Sequence, residues 1–170
     1  IASDVLNIAL RLKPQCVCLV PEKRQEITTE GGLDVASSPQ NVKDAVQRLA
    51  DAGVIVSLFI DPDERQIEAA ARSGAPFVEM HTGAYANARR EEDVAKMLKS
   101  LHDGARLAIS SGLRVNAGHG LNYRNVIPVA QISGIEELNI GHAIIARAIF
   151  IGLRQAVSEM KQLIREVSHY

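Results

Sequence analysis

Arg114-Val115-Asn116-Ala117-Gly118-His119-Gly120 decides the fold when it is read with its shorter echo, Leu138-Asn139-Ile140-Gly141-His142-Ala143. Each is a short apolar strand that ends in Asn-x-Gly-His. In both, the Gly-His falls where a strand should stop and a turn should begin. A glycine at such a place lets backbone N–H groups approach a ligand closely.

Working outward, apolar strands and amphipathic helices alternate. Ile1, Val5, Ile8, Ala9 and Leu12 have helical spacing, and Lys13-Pro14 ends that helix. The run from Gln15 to Val20 is continuously apolar, as a strand buried on both faces of a parallel sheet would be. Ser38-Pro39 opens the next helix, with Ser38 as N-cap and the stripe Val42, Ala45, Val46, Leu49 and Ala50; Gly53 ends it. A second strand spans Val54 to Ile60. Asp61, Pro62 and Glu64 then occupy the N-cap, N1 and N3 positions of a helix closed by Gly74, so Asp61 reads as a cap rather than a catalytic acid. Pro76 to His81 is the third strand. Glu91 to Ser111 is a long helix, on which His102 reads as a surface residue. The fourth strand leads into a short helix near Asn125 to Gln131, and the fifth runs from Glu136 to Ile140. An apolar helix from Ala143 to Phe150 follows. A last helix carries the stripe Leu153, Ala156, Val157, Met160, Leu163, Ile164 and Val167, and His169 reads as a solvated tail residue.

Alternation of this kind predicts a parallel sheet with helices outside it. In an eight-stranded β/α barrel, the loops after the last two strands, with a short extra helix, commonly form a phosphate site, and the two Gly-His turns fit that place. The chain has 170 residues, against roughly 250 for a complete barrel. The expected fold is therefore an α/β (β/α)8 TIM barrel of which residues 1–170 form a single incomplete domain. It holds the last five strand–helix units, and three more are expected before Ile1.

Bulk composition sets limits on function. The formal net charge of −1 gives no basic field for nucleic acid or an anionic membrane. No apolar run approaches the roughly 20 residues needed to span a bilayer, and no signal peptide is visible. Cys16 and Cys18 lie one residue apart in an apolar strand. That spacing is poor for a disulfide, so they read as two buried thiols in a reducing compartment. No Cys/His set has metal-ligand spacing.

The chemistry gathers at the predicted strand ends. Phe77, Glu79 and His81 share one strand face. A carboxylate there is costly to bury alone, so Glu79 is either paired structurally or faces a polar cavity, and the adjacent His81-Thr82-Gly83 favours the cavity. His119 and His142 form a candidate functional pair, since imidazole transfers protons near neutral pH. Backbone N–H groups around Gly118, Gly120 and Gly141, with the helix beginning near His142, suit a phosphate. The polar loop from Pro21 to Asp34 follows the first strand and is long enough to be functional. Together these groups suit proton shuffling on a phosphorylated carbonyl substrate: enolisation, aldol-type condensation or dehydration.

Four segments in order carry a resemblance: PEKRQEITTEGGLD from Pro21, FVEMHTGAYA from Phe77, VNAGHGLNY from Val115 and ELNIGHAIIARAI from Glu137. The chain resembles the C-terminal two-thirds of the pyridoxine 5′-phosphate synthase family of vitamin B6 biosynthesis. That resemblance implies condensation of 1-deoxy-D-xylulose 5-phosphate with 3-amino-1-hydroxyacetone 1-phosphate to give pyridoxine 5′-phosphate, phosphate and water. It implies no metal, no organic cofactor, no nucleic-acid or membrane partner, and a cytoplasmic homo-octamer. Residue by residue, His119 resembles the proton donor and Glu79 the transition-state stabiliser. Thr28 resembles a substrate-binding residue in a lid, and Gly120, Gly141 and His142 resemble substrate and phosphate contacts. The family's general-base His, a catalytic Glu and further substrate contacts would precede Ile1, so residues 1–170 alone are expected to be inactive. The rivals are another phosphosugar isomerase or aldolase of the same fold, which as a Schiff-base enzyme would need a lysine such as Lys23 near a strand end, or a phosphate-binding segment without catalysis.

Overall fold

A computed structural model describes residues 3–21 and 31–167. Thr28, Lys23, Ile1 and His169 lie outside the described residues. Five strands, β1 (Cys16–Leu19), β2 (Ile55–Ile60), β3 (Phe77–His81), β4 (Arg114–Gly118) and β5 (Ile135–Asn139), form one sheet in the order in which they occur along the chain. Every pair is parallel. Parallel strands joined by right-handed crossovers, each laid beside the last, must carry their helices on one face. This is the winding of a β/α barrel, as the alternation predicted.

The helices are α1 (Ser3–Leu12), α2 (Pro39–Asp51), α3 (Glu64–Ser73), α4 (Gly83–Asn87), α5 (Glu91–Ser110), α6 (Val126–Ala130), α7 (His142–Ile151) and α8 (Leu153–Arg165). The helices α2, α3 and α5 pack on the face made by Val56, Leu58, Ile60, Val78, Met80, Val115 and Ala117. Against it lie Val42, Val46 and Leu49 of α2, Ile67 and Ala70 of α3, and Leu101, Ala105 and Ala108 of α5. Gln66 joins the chain ahead of α2 to α3: its Oε1 accepts the N–H groups of Val35 (2.8 Å) and Ala36 (3.2 Å), and its Nε2 donates to Asp34 (2.8 Å). At the opposite end of the sheet, Arg114 forms a two-pronged ion pair with Glu136 and lies 4.2 Å above the Phe77 ring.

Several expectations change here. Among the described residues β1 pairs only with β2, and Cys16 and Cys18 are exposed rather than buried. A continuous apolar run does not reveal which neighbours its strand has among these residues. Most of the named stripe of α1 points outward: Val5, Ile8 and Leu12 are exposed, Ala9 packs against the core, and Leu6 is the buried residue. On α8, Ala156 and Met160 are buried while Leu153 and Val157 are exposed. The apolar α7 has no buried residue, and its Ile149 and Phe150 are 79% and 86% exposed. The short helix α4, which the sequence reading did not foresee, follows β3 directly. His102 is exposed as expected. No helix among the described residues is long and apolar enough to cross a membrane.

Leu58 is completely buried in β2 between the sheet's neighbours and the helix layer. Leu58→Ala is predicted to destabilise the fold by about 2–5 kcal/mol, the usual cost of a leucine-sized core cavity. A urea titration showing a loss under about 1 kcal/mol would mean that this layer is not the core the fold depends on.

Candidate active site at the carboxyl ends of the strands

The period of a strand places Phe77, Glu79 and His81 on the face opposite Val78 and Met80, away from the helices. The register then puts Phe59, Glu79 and Asn116 in one row, with His81, Gly118 and Asn139 in a row further toward the carboxyl ends. Glu79 is half-buried. The Asn139 side-chain amide donates to Glu79 Oε2 at 2.9 Å, and the Cys18 thiol donates to the same oxygen with the sulfur 3.7 Å away. Gly118 makes room for this carboxylate, because a Cβ there would lie 2.5 Å from Glu79 Oε1. Burial pushes the Glu79 carboxyl above its ordinary range, although the bonds from Cys18 and Asn139 pull the other way. Although Cys18 is exposed as a residue, its sulfur is set against Glu79, and desolvation there, then the Glu79 charge, push the thiol up to about 12, so it stays protonated and serves as a donor.

His119 follows β4 immediately and is exposed. Its φ of 82° is left-handed, a region that non-glycine residues seldom occupy. Thr82 supports this turn. Its N–H donates to the Gly118 carbonyl at 2.8 Å, and its buried hydroxyl lies 2.7 Å from that carbonyl and 2.5 Å from that of His119. The following loop is also pinned. Tyr85 Oη donates to the Asn125 carbonyl at 2.9 Å, Asn125 Nδ2 donates to the Gly120 carbonyl at 3.3 Å, and Asn125 Oδ1 accepts the Asn122 N–H at 2.7 Å. Gly120 therefore sits in a braced turn.

The two Asn-x-Gly-His motifs are not structurally equivalent. A register shift between Val115 and Asn116 sets Gly118 opposite Asn139. Gly118-His119 ends β4, whereas Asn139 ends β5 and His142 is the first residue of α7, with Gly141 as its N-cap. Asn139 thus reaches Glu79, while His142 is exposed at the helix start. Asn116 Oδ1 is buried with no hydrogen-bond partner in the described structure.

Asp61 is not a helix cap. The cap of α3 is Asp63, whose carboxylate accepts the Gln66 N–H at 3.2 Å. The helix begins two residues later than Pro62 at N1 implied, at Glu64. Asp61 instead binds His81 Nδ1 (2.8 Å) and accepts the Gly32 N–H (3.0 Å). Gly32 passes so close to the end of β2 that a Cβ would meet the backbone of Ile60 and Asp61 at about 2.4 Å. The sequence reading missed Asn139, Thr82, Asp61 and the Cys18 contact as members of this site. Asn139 lay in plain view in the repeated motif, but the others depend on strand register. No three His, Cys, Asp or Glu side chains among the described residues cluster as metal ligands.

An all-parallel, sequentially wound sheet with a carboxylate, an imidazole and braced glycine turns at its carboxyl edge is the working half of a β/α-barrel-type enzyme. Comparison with known proteins makes this particular. The chain belongs to the family described as "Pyridoxal phosphate biosynthesis protein PdxJ", whose profile matches residues 1–166. It is 55% identical over 166 residues to pyridoxine 5′-phosphate synthase of Pseudoalteromonas translucida (strain TAC 125), covering 98% of this chain and 68% of that enzyme. Two solved structures share the fold at 12% identity. One is a xylose isomerase domain protein from Planctomyces limnophilus (TM-score 0.56; 96% of this chain, 66% of that one). The other is a D-psicose 3-epimerase crystallised in the presence of D-fructose (TM-score 0.54; 79% and 56%). The family membership makes the protein an enzyme of pyridoxine biosynthesis.

The two carboxylates predict opposite pH behaviour. Glu79 is raised, chiefly by burial, and Asp61 is lowered, chiefly by its bond to His81. Glu79 therefore costs stability once pH passes its unfolded value of about 4.3, and Glu79→Gln should gain on the wild type as pH rises through the folded value. Asp61 contributes stability above its unfolded value of about 3.9 that is lost as pH falls through the folded one, so the deficit of Asp61→Asn should shrink in acid. Denaturation midpoints of both variants between pH 3 and 7 test this; parallel curves would contradict it.

Proposed function

We propose that the protein condenses 1-deoxy-D-xylulose 5-phosphate with 3-amino-1-hydroxyacetone 1-phosphate, forming pyridoxine 5′-phosphate and releasing phosphate and water. The observation that carries this reading is the pairing of Glu79 with Asn139 and Cys18 beside the His119 turn, within a family of pyridoxine biosynthesis. Joining an amine to a ketone and closing a ring require protons to be delivered and withdrawn while charge develops on the reacting atoms. His119 is exposed at the mouth and supplies the proton. Glu79, fixed by two donors, stabilises the positive charge that develops in the transition state. Gly120, Gly141 and His142 hold phosphate, supported by the braced turn after β4 and the uncapped start of α7. Thr28 is proposed as a substrate contact.

The site is proposed to be completed by groups beyond these residues, namely a general-base His and a catalytic Glu on preceding strands that close the barrel between β1 and β5. The 68% coverage of the relative supports this. The exposed Ile145, Ile149 and Phe150 of α7 support a covered surface there, in keeping with a homo-octamer.

Incubating the two substrates with the full polypeptide should yield pyridoxine 5′-phosphate; none formed by a folded, complete chain would overturn the reading. His119→Asn, which suits the left-handed backbone, is predicted to lower kcat by about 100-fold or more, the usual worth of a general acid. Glu79→Gln should lower kcat while leaving KM within about threefold, since its role is confined to the transition state. A rise in KM alone would make Glu79 a binding residue.

A further inference from the structure

We propose that Asp61 and His81 are positioning residues for His119, forming a chain in which the Asp61 carboxylate fixes the His81 ring and the His81 ring sets the orientation of the proton donor. The proposal rests on the proton-donor role given to His119 above.

The geometry starts from the strand ends. Asp61 follows β2 and His81 ends β3, and the parallel register brings them side by side. The His81 side chain is 3% exposed, and its Nδ1 lies 2.8 Å from Asp61 Oδ1. The other Asp61 oxygen accepts the Gly32 N–H, so both oxygens are held. The bond to His81 keeps the Asp61 carboxyl below its usual range and hence ionised near neutral pH. An ionised carboxylate only accepts, so His81 must donate from Nδ1, which fixes the tautomer and the ring plane together.

A buried His whose purpose was to staple two strand ends would need nothing beyond this bond. His81 goes further. Its ring packs edge-on against that of His119, with centroids 5.2 Å apart and planes at 66°. Phe59 touches both, at 5.0 Å from His81 and 6.2 Å from His119. The next residue, Thr82, holds the backbone of the same turn through the Gly118 and His119 carbonyls. His81-Thr82 therefore grips the proton donor by both ring and main chain. His119 needs such a grip, because a left-handed non-glycine residue persists only where its surroundings over-determine it. His81 Nε2 is buried without a hydrogen-bond partner in the described structure.

The test uses the full polypeptide with 13C-labelled histidine rings, the His119 signals being assigned by their loss in His119→Asn. Asp61→Asn keeps the size of the side chain and removes its charge. It is expected to lower kcat by about tenfold or more, the scale of a misplaced catalytic group, with KM for both phosphorylated substrates within about threefold. It should also shift or broaden the His119 ring signals, and Asp61→Glu should recover part of kcat. His81→Asn retains a donor for Asp61 but lacks the ring edge, and it should show the same loss of kcat at unchanged KM; it serves if Asp61→Asn does not fold. Wild-type kcat in either folded variant, or a fall in kcat with His119 signals unmoved in Asp61→Asn, overturns the proposal. If the wild type does not turn over the two substrates, the functional reading fails by itself. The response of the His119 signals then still decides whether Asp61 positions that ring.

Discussion

The handedness of the β/α crossover governs this molecule. Strands that run in one direction and lie side by side in chain order leave their helices a single face to occupy. All the carboxyl ends therefore meet at one edge, and residues far apart in the chain become neighbours there. Asp61, His81, Gly118 and Asn139 come from the ends of four different strands, yet they contact one another or Glu79. The helix-facing rows of valine, leucine and isoleucine hold the sheet's curvature and spacing. The polar residues on the other face inherit their positions from that packing.

Within this frame the site divides its labour between fixed and accessible groups. Glu79 has donors on two sides and a raised affinity for its proton, whereas His119 is exposed on a left-handed turn. What keeps His119 in place lies beneath it: a hydroxyl, an aromatic ring and a carboxylate–imidazole bond. The glycines at the strand ends are there for space as much as for flexibility. At Gly118 any side chain would displace the carboxylate beside it.

Much of this could be read from the residues. Apolar runs marked the strands, glycines such as Gly53 and Gly74 marked helix ends, and the 3.6-residue spacing of Val42, Val46 and Leu49 marked a helix that does bury them. Glu79 and His81 stood out because period two puts them on one face. What could not be read was whatever depends on neighbours in space. Periodicity finds an apolar stripe but not what covers it, so Val5, Ile8 and Leu12 read as core and are exposed. Asp61, Pro62 and Glu64 read as a cap and first turn, but the backbone starts the helix at Glu64 behind Asp63, which releases Asp61 for His81. The echoed Asn-x-Gly-His motif suggested two matching turns. In the structure one Gly-His ends a strand and the other starts a helix, and Gly118 stands opposite Asn139 rather than opposite Gly141.

The strand order has a kinetic meaning as well. Among the described residues each strand pairs with its neighbours in chain order, so none of these four pairings must wait for a strand further along than the next. Each step closes one crossover, and the entropy of that closure grows only slowly with loop length. These five strands can therefore add one after another, and each of β2 to β5 emerging in sequence meets a neighbour already made. Such a route tolerates a pause at any strand, but at every pause it leaves one growing edge open to a foreign strand.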